Sequence, residues 1–150
     1  MAGDAAEMGA GYGTFTLDIE PELCAQLPMS VAKKDQCRLK THCQDILDLS
    51  EQKWLPLKPE SLSFITVFNL LHFSDPIPWL SHLHNLLVED GKLLIIHWRS
   101  DIQTPRGPDM ALRPSSESIQ AWCKTAGFYT TVVIDISDSC PWHYAVNAYK

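Results

Sequence analysis

The residues most suited to chemistry lie near the start of the chain, in "EMGAGYGTFTLDIEPEL", Glu7 to Leu23. Gly9, Gly11 and Gly13 alternate behind an acid, Glu7. Glycines so spaced let a backbone turn approach a bound cofactor closely, because no Cβ stands in the way. Asp18, five residues after Gly13, reads like the acidic end of a following strand. Further along, Asp45, Asn69 and His72 each sit at the end of a strand-like segment. Ligands of open α/β sheets bind at that end of the strands. The chain has no Ser-His-Asp pattern, no CxxC and no His/Cys pair at metal-ligand spacing.

These groups must be held by a fold, and the last two thirds of the chain show which kind. "SFITVFNLL", Ser63 to Leu71, and "KLLIIHW", Lys92 to Trp98, are apolar, β-branched runs of the type buried on both faces of a parallel sheet. Between them Trp79, Leu80, Leu83, Leu86 and Leu87 recur at helical spacing. Asp75-Pro76 marks the start of that helix, and Gly91 is placed to end it as a left-handed cap. The segment Arg99 to Ser115 contains three prolines and reads as a long loop of functional length. A helix capped by Ser115 or Ser116 follows, with a stripe of Ile119, Trp122 and Cys123 and a stop at Gly127. "YTTVVIDI" and "WHYAVNAYK" read as two closing strands. Their short connection, "SDSCP", requires them to be antiparallel.

The front third is less regular. A helix can begin at Pro21 and be kinked or broken by Pro28. Cys37 to Ile46 reads as a strand ending near Asp45, followed by a loop with two prolines. The sum is one α/β domain over 1–150 with a mostly parallel sheet and an antiparallel pair at its end.

Composition narrows the function classes. The chain is 45% hydrophobic and 20% charged, with a net charge of −6 and a pI near 5.4. Its densest basic cluster, Lys33, Lys34, Arg38 and Lys40, is interrupted by Asp35, so no nucleic-acid partner is expected. Five cysteines without a paired spacing suit a reducing, cytoplasmic setting. The N-terminus has neither the basic nor the apolar region of a signal peptide, and no apolar run is long enough for a bilayer.

In order along the chain, these segments resemble the class I S-adenosylmethionine-dependent methyltransferases, of the type 11/25-like kind. "EMGAGYG" is similar to the family's acidic, glycine-rich signature, and "LDIEPEL" to the end of its second strand. "QDILDL" resembles the segment flanking the adenine, and "SFITVFNLLHF" the fourth strand and the loop facing the methyl group. "LHNLLVEDGKLLIIHW" is similar to the helix, turn and fifth strand, with Glu89-Asp90-Gly91 in place of Pro-Gly-Gly. The resemblance implies S-adenosylmethionine as cofactor, held by Gly9, Gly11, Gly13, Asp18, Asp45, Ile46, Asn69 and Leu71. It also implies His72, Arg106 and His143 on the side of a small-molecule or protein methyl acceptor. Such a reaction needs donor and acceptor held in line with water excluded, and no dedicated nucleophile.

Two departures follow from the residues themselves. "MAGDAAEM" does not supply the apolar first strand that the family places at the centre of its sheet. Only four residues separate Gly13 from Asp18, whereas a parallel crossover needs about a dozen or more. The expected architecture is therefore an incomplete Rossmann-like sheet, with 1–16 as a flexible remnant of the glycine motif. A deleted form of a longer enzyme, such as a splice variant, accounts for this. The rival reading is an inactive module that binds a protein partner, or a second copy, through its incomplete sheet edge. Among the remaining residues, His82 and His84 read as surface groups, His97 as a satisfied core histidine, and Arg113 as a solvated loop residue.

Overall fold

The computed structural model describes residues 5–10, 13–18, 20–43, 45 and 57–150, with side chains from residue 16 onward. Among these residues seven strands form one sheet: β1 (Ala5–Ala10), β2 (Gly13–Asp18), β3 (Leu39–Cys43), β4 (Leu62–Phe68), β5 (Leu87–Trp98), β6 (Thr130–Ile134) and β7 (His143–Tyr149). Their spatial order is β3-β2-β1-β4-β5-β7-β6. The pairs β2–β3 and β4–β5 are parallel, and the other four neighbouring pairs are antiparallel. Five strands thus share one direction, with β1 and β7 reversed.

The structure has a first strand where the sequence implied none. Ala5–Ala10 does occupy the centre of the sheet, between β2 and β4, but runs opposite to both. The reason is the short connection. Ala10 pairs with Gly13, leaving two residues for the turn, and a two-residue turn can only reverse the chain. Alanine and glycine are weak strand formers, and pairing on both sides outweighs that preference. The missing helix is as expected: Gly13 to Asp18 is one strand.

Among the described residues, three α-helices flank the sheet. α1 (Pro21–Ser30) joins β2 to β3 and continues through Pro28, with no buried residue along its length. Proline at position eight of this helix costs one backbone hydrogen bond. α2 (Ile77–Leu86) joins β4 to β5 and buries Trp79, Leu80, Leu83 and Leu86. α3 (Ser116–Thr125) joins β5 to β6 and buries Ile119 and Cys123, with Trp122 packed beside them. Ser115 is its cap: Oγ accepts from Ser118 N at 3.2 Å. Gly127, at φ 114°, follows it as expected.

Gly91 does not cap α2. The helix ends at Leu86, and Leu87 is already extended and paired opposite Leu62. The next pair is Phe64 with Lys92, so β5 bulges between them. Asp90 takes the left-handed conformation there, at φ 61°. Gly91 is needed for space instead, since a Cβ would lie 2.7 Å from the Val88 carbonyl oxygen.

The core lies between the sheet and α2 with α3. Ile65 and Val67 of β4, Leu93 and Ile95 of β5, and Val146 and Ala148 of β7 meet Trp79, Leu83, Ile119 and Phe128 there. Burial of such side chains is worth about 1.5–3 kcal/mol each. Among the described residues no helix is long and apolar enough to cross a membrane.

Candidate functional site at the carboxyl edge of the sheet

Parallel β2, β3, β4 and β5 end on the same edge. At β2 this brings up Asp18, which is 8% exposed and paired across to Cys43 of β3. Its Oδ1 accepts from Glu20 N at 2.8 Å, so the carboxylate folds back over the start of α1. Asp45 is exposed, just beyond β3. At the end of β4, Asn69 has φ 56°, a conformation that asparagine tolerates better than most residues. Its N–H donates to Ile96 O at 2.9 Å, and its buried Oδ1 has no hydrogen-bond partner among the described residues.

The glycines are elsewhere. Gly9 pairs with Phe64, near the start of β4, whereas Ala5 pairs with Phe68 at its end. The paired residues Ala10 and Gly13 therefore lie at the amino edge, across the sheet from Asp18. Gly9 and Gly13 are separated from Asp18, Asn69 and Asp45, while Gly11 and Ile46 lie outside the described residues. The reversal of β1 that restores the central strand is what carries its glycines away. Leu71 is buried in the core at 1% exposure and offers no surface to a ligand.

Behind Asn69, rings from three elements meet. The His72 and His97 rings are 6.2 Å apart, and His97 is 6.4 Å from Tyr144. His97 is completely buried, and that burial lowers its pKa to about 4, with His72, His143 and Arg113 pushing the same way. Its Nδ1 lies 3.3 Å from Trp98 O, and its Nε2 is buried without a partner. It is a core histidine as expected, but satisfied at one nitrogen only. The Tyr144 hydroxyl donates to Pro114 O at 2.8 Å, and burial holds its phenol well above the usual range.

A cleft of about 470 Å³ opens beside these rings, lined by Arg99, Asp101, Glu117, Asp135, His143 and Tyr144 among others. Arg99 is tied to Asp101 by two hydrogen bonds, at 2.9 and 2.6 Å. His143 stacks on Trp98 at 4.1 Å. Its pKa is lowered by burial and then by the charges of Arg106 and Arg113. Arg106 itself is exposed and not part of this lining.

Arg113 is not solvated. At 8% exposure, it donates from Nε and Nη2 to Pro108 O, and from Nη1 to Arg99 O at 3.0 Å. Its guanidinium lies 5.7 Å from the Trp98 ring. The loop between β5 and α3 is thus a folded strap over the strand end. The sequence signal was faint: one of three arginines in a stretch with three prolines.

No family model and no curated protein matches the sequence. Solved structures do, by shape. A SAM-dependent methyltransferase from Aquifex aeolicus is 19% identical with a TM-score of 0.67, over 90% of this chain and 66% of that one. An S-adenosylmethionine-dependent methyltransferase from Mesorhizobium loti is 11% identical with a TM-score of 0.67, over 91% of this chain and 80% of that one. This is the class I methyltransferase fold. A Haemonchus contortus phosphoethanolamine N-methyltransferase, solved with S-adenosyl-L-methionine, is 14% identical with a TM-score of 0.66. The alignment covers 89% of this chain but 42% of that one. The chain thus spans about two thirds of the Aquifex structure and less than half of the Haemonchus one.

Proposed function

We propose that this chain binds S-adenosylmethionine along the carboxyl edge and belongs to a methyl-transfer activity, with the acceptor, a small molecule or protein side chain, in the cleft beside His143 and Tyr144. The observation carrying this reading is that Asp18, Asn69 and the cleft share one edge of a sheet ordered β3-β2-β1-β4-β5-β7-β6. The adenosine half of the cofactor fits. Asp18 keeps one carboxylate oxygen beyond its bond to Glu20, available to ribose hydroxyls, and Asn69 offers an unpartnered acceptor. The methionine half does not fit, because Gly9 and Gly13, which would help cradle it, are at the other edge. The bound cofactor would supply an electrophilic methyl group. The chain's own part is to hold the ribose at Asp18, with Asp45 beside the adenine, and to seat the acceptor.

Calorimetric titration with S-adenosylhomocysteine tests this, with adenosine as the comparison ligand. Micromolar binding that Asp18→Ala and Asp45→Ala weaken supports the reading. No heat from a folded chain overturns it.

The displaced glycines favour a second reading, a module that does not transfer methyl groups and acts through a partner. Binding of adenosine as tight as that of S-adenosylhomocysteine supports this. The deleted-isoform origin belongs to the same proposal. A transcript with no further coding segment between Thr16 and Asp18 would sink it. A cytoplasmic setting, argued from five free cysteines, is likewise proposed.

A further inference from the structure

Among the described elements α1 is the least anchored. It has no buried residue and no side-chain cap, and it touches only β2 and β3 strongly. What ties its first turn to the sheet is a sulfur. Cys24 Sγ lies 3.5 Å from the carbonyl oxygens of Asp18 and His42, the residues ending β2 and preceding Cys43. Asp18 and Cys43 are Cα partners across the β2–β3 ladder, so Cys43 is directly beside these carbonyls. Cys24 Sγ thus lies against the carbonyl of the peptide bond that links His42 to Cys43, which brings the two cysteines together. Cys43 is exposed and Cys24 half-buried, so an oxidant in solution meets Cys43 first, with Cys24 behind it.

We propose that Cys24 and Cys43 form a reversible disulfide in response to hydroperoxides, locking α1 onto β3 beside Asp18. The Cys43 thiolate attacks a peroxide oxygen, the O–O bond breaks, and a sulfenic acid forms with loss of water or alcohol. Cys24 sulfur then attacks the Cys43 sulfur and expels water. Two electrons pass from the two thiols to the hydroperoxide, and a dithiol reductant reverses the step. The bond replaces the contacts of the Cys24 sulfur with Asp18 O and His42 O, so oxidation converts a weak tether of α1 into a covalent one. This inference stands apart from the cofactor reading, since it rests on the sulfurs alone.

The test is peptide mapping of the full chain after treatment with stoichiometric hydrogen peroxide, without reductant. Trypsin releases Cys24 in 1–33, Cys37 in 35–38 and Cys43 in 41–53, so each linkage has its own mass. The expected product joins 1–33 to 41–53 and disappears with dithiothreitol. Tm is expected to rise by roughly 5–10 °C on oxidation, as closure of a loop this size implies. Cys43→Ser and Cys24→Ser should each abolish the linked peptide. Sulfinic acid at Cys43 with Cys24 still a free thiol, or linkage through Cys37 or Cys140 instead, overturns the proposal.

Discussion

Arg113 reaches back across fourteen residues of loop to the carbonyl of Arg99, at 3.0 Å, and lies over the Trp98 ring. One buried guanidinium so joins the end of β5 to the approach of α3. Lysine cannot reproduce this, because its ammonium is a point donor and not a planar fork. Arg113→Lys is expected to destabilise the chain by about 1–2 kcal/mol and Arg113→Ala by about 2–4 kcal/mol. Urea midpoints measure both, and amide exchange in 99–113 should rise before global unfolding. A surface-like cost below about 0.5 kcal/mol for the alanine variant would contradict the strap.

His97 gives the chain a pH dependence. Its pKa is near 6.5 unfolded and about 4 folded. Between these values the unfolded chain binds the proton and the folded chain does not, so stability rises with pH across pH 4–6.5. The contribution is present above pH 6.5 and lost as pH falls towards 4, amounting to about 3 kcal/mol. His97→Gln should flatten the stability–pH curve in that interval. His82, His84 and His143 are also lowered by burial, so a smaller slope of the same sign should persist. Denaturation midpoints of both proteins from pH 4 to pH 8 provide the comparison.

The start of α3 rests on two polar contacts, Ser118 N to Ser115 Oγ and Tyr144 Oη to Pro114 O. Ser115→Ala and Tyr144→Phe should each cost about 1 kcal/mol. Both flank the cleft, so the double variant should disturb its shape without unfolding the core. Thermal melts with near-ultraviolet circular dichroism report both effects.

β6 forms one end of the sheet order and leaves Val132, Val133 and Ile134 exposed at 46%, 43% and 36%. An exposed, uncharged apolar edge is a template for pairing. Self-association through this edge predicts a mass above 16.9 kDa in light scattering. Val132→Lys should shift the distribution to monomer, since a charge on an edge strand opposes pairing. If both proteins are monomeric at micromolar concentrations, this edge carries no self-association.

Local sequence signals determined the elements after residue 60. The runs at β4 and β5, the 3.6-residue stripes of α2 and α3, the Ser115 cap and the Gly127 stop are decided by neighbours in the chain. The antiparallel β6–β7 pair is fixed by the length of its connection. The same length argument showed that Gly13 and Asp18 could not keep a helix between them. What the sequence left open were outcomes of long-range pairing. "AAEMGA" has no strand pattern of its own and becomes a central strand because β2 and β4 flank it. Its direction follows from the two-residue turn, and that direction decides which edge its glycines reach. Gly91 is held by crowding at a bulge, and Arg113 is buried by carbonyls that only the folded loop brings together. Residue type and spacing could name candidate ligand groups. Which of them share an edge depended on strand direction, a property of the assembled sheet.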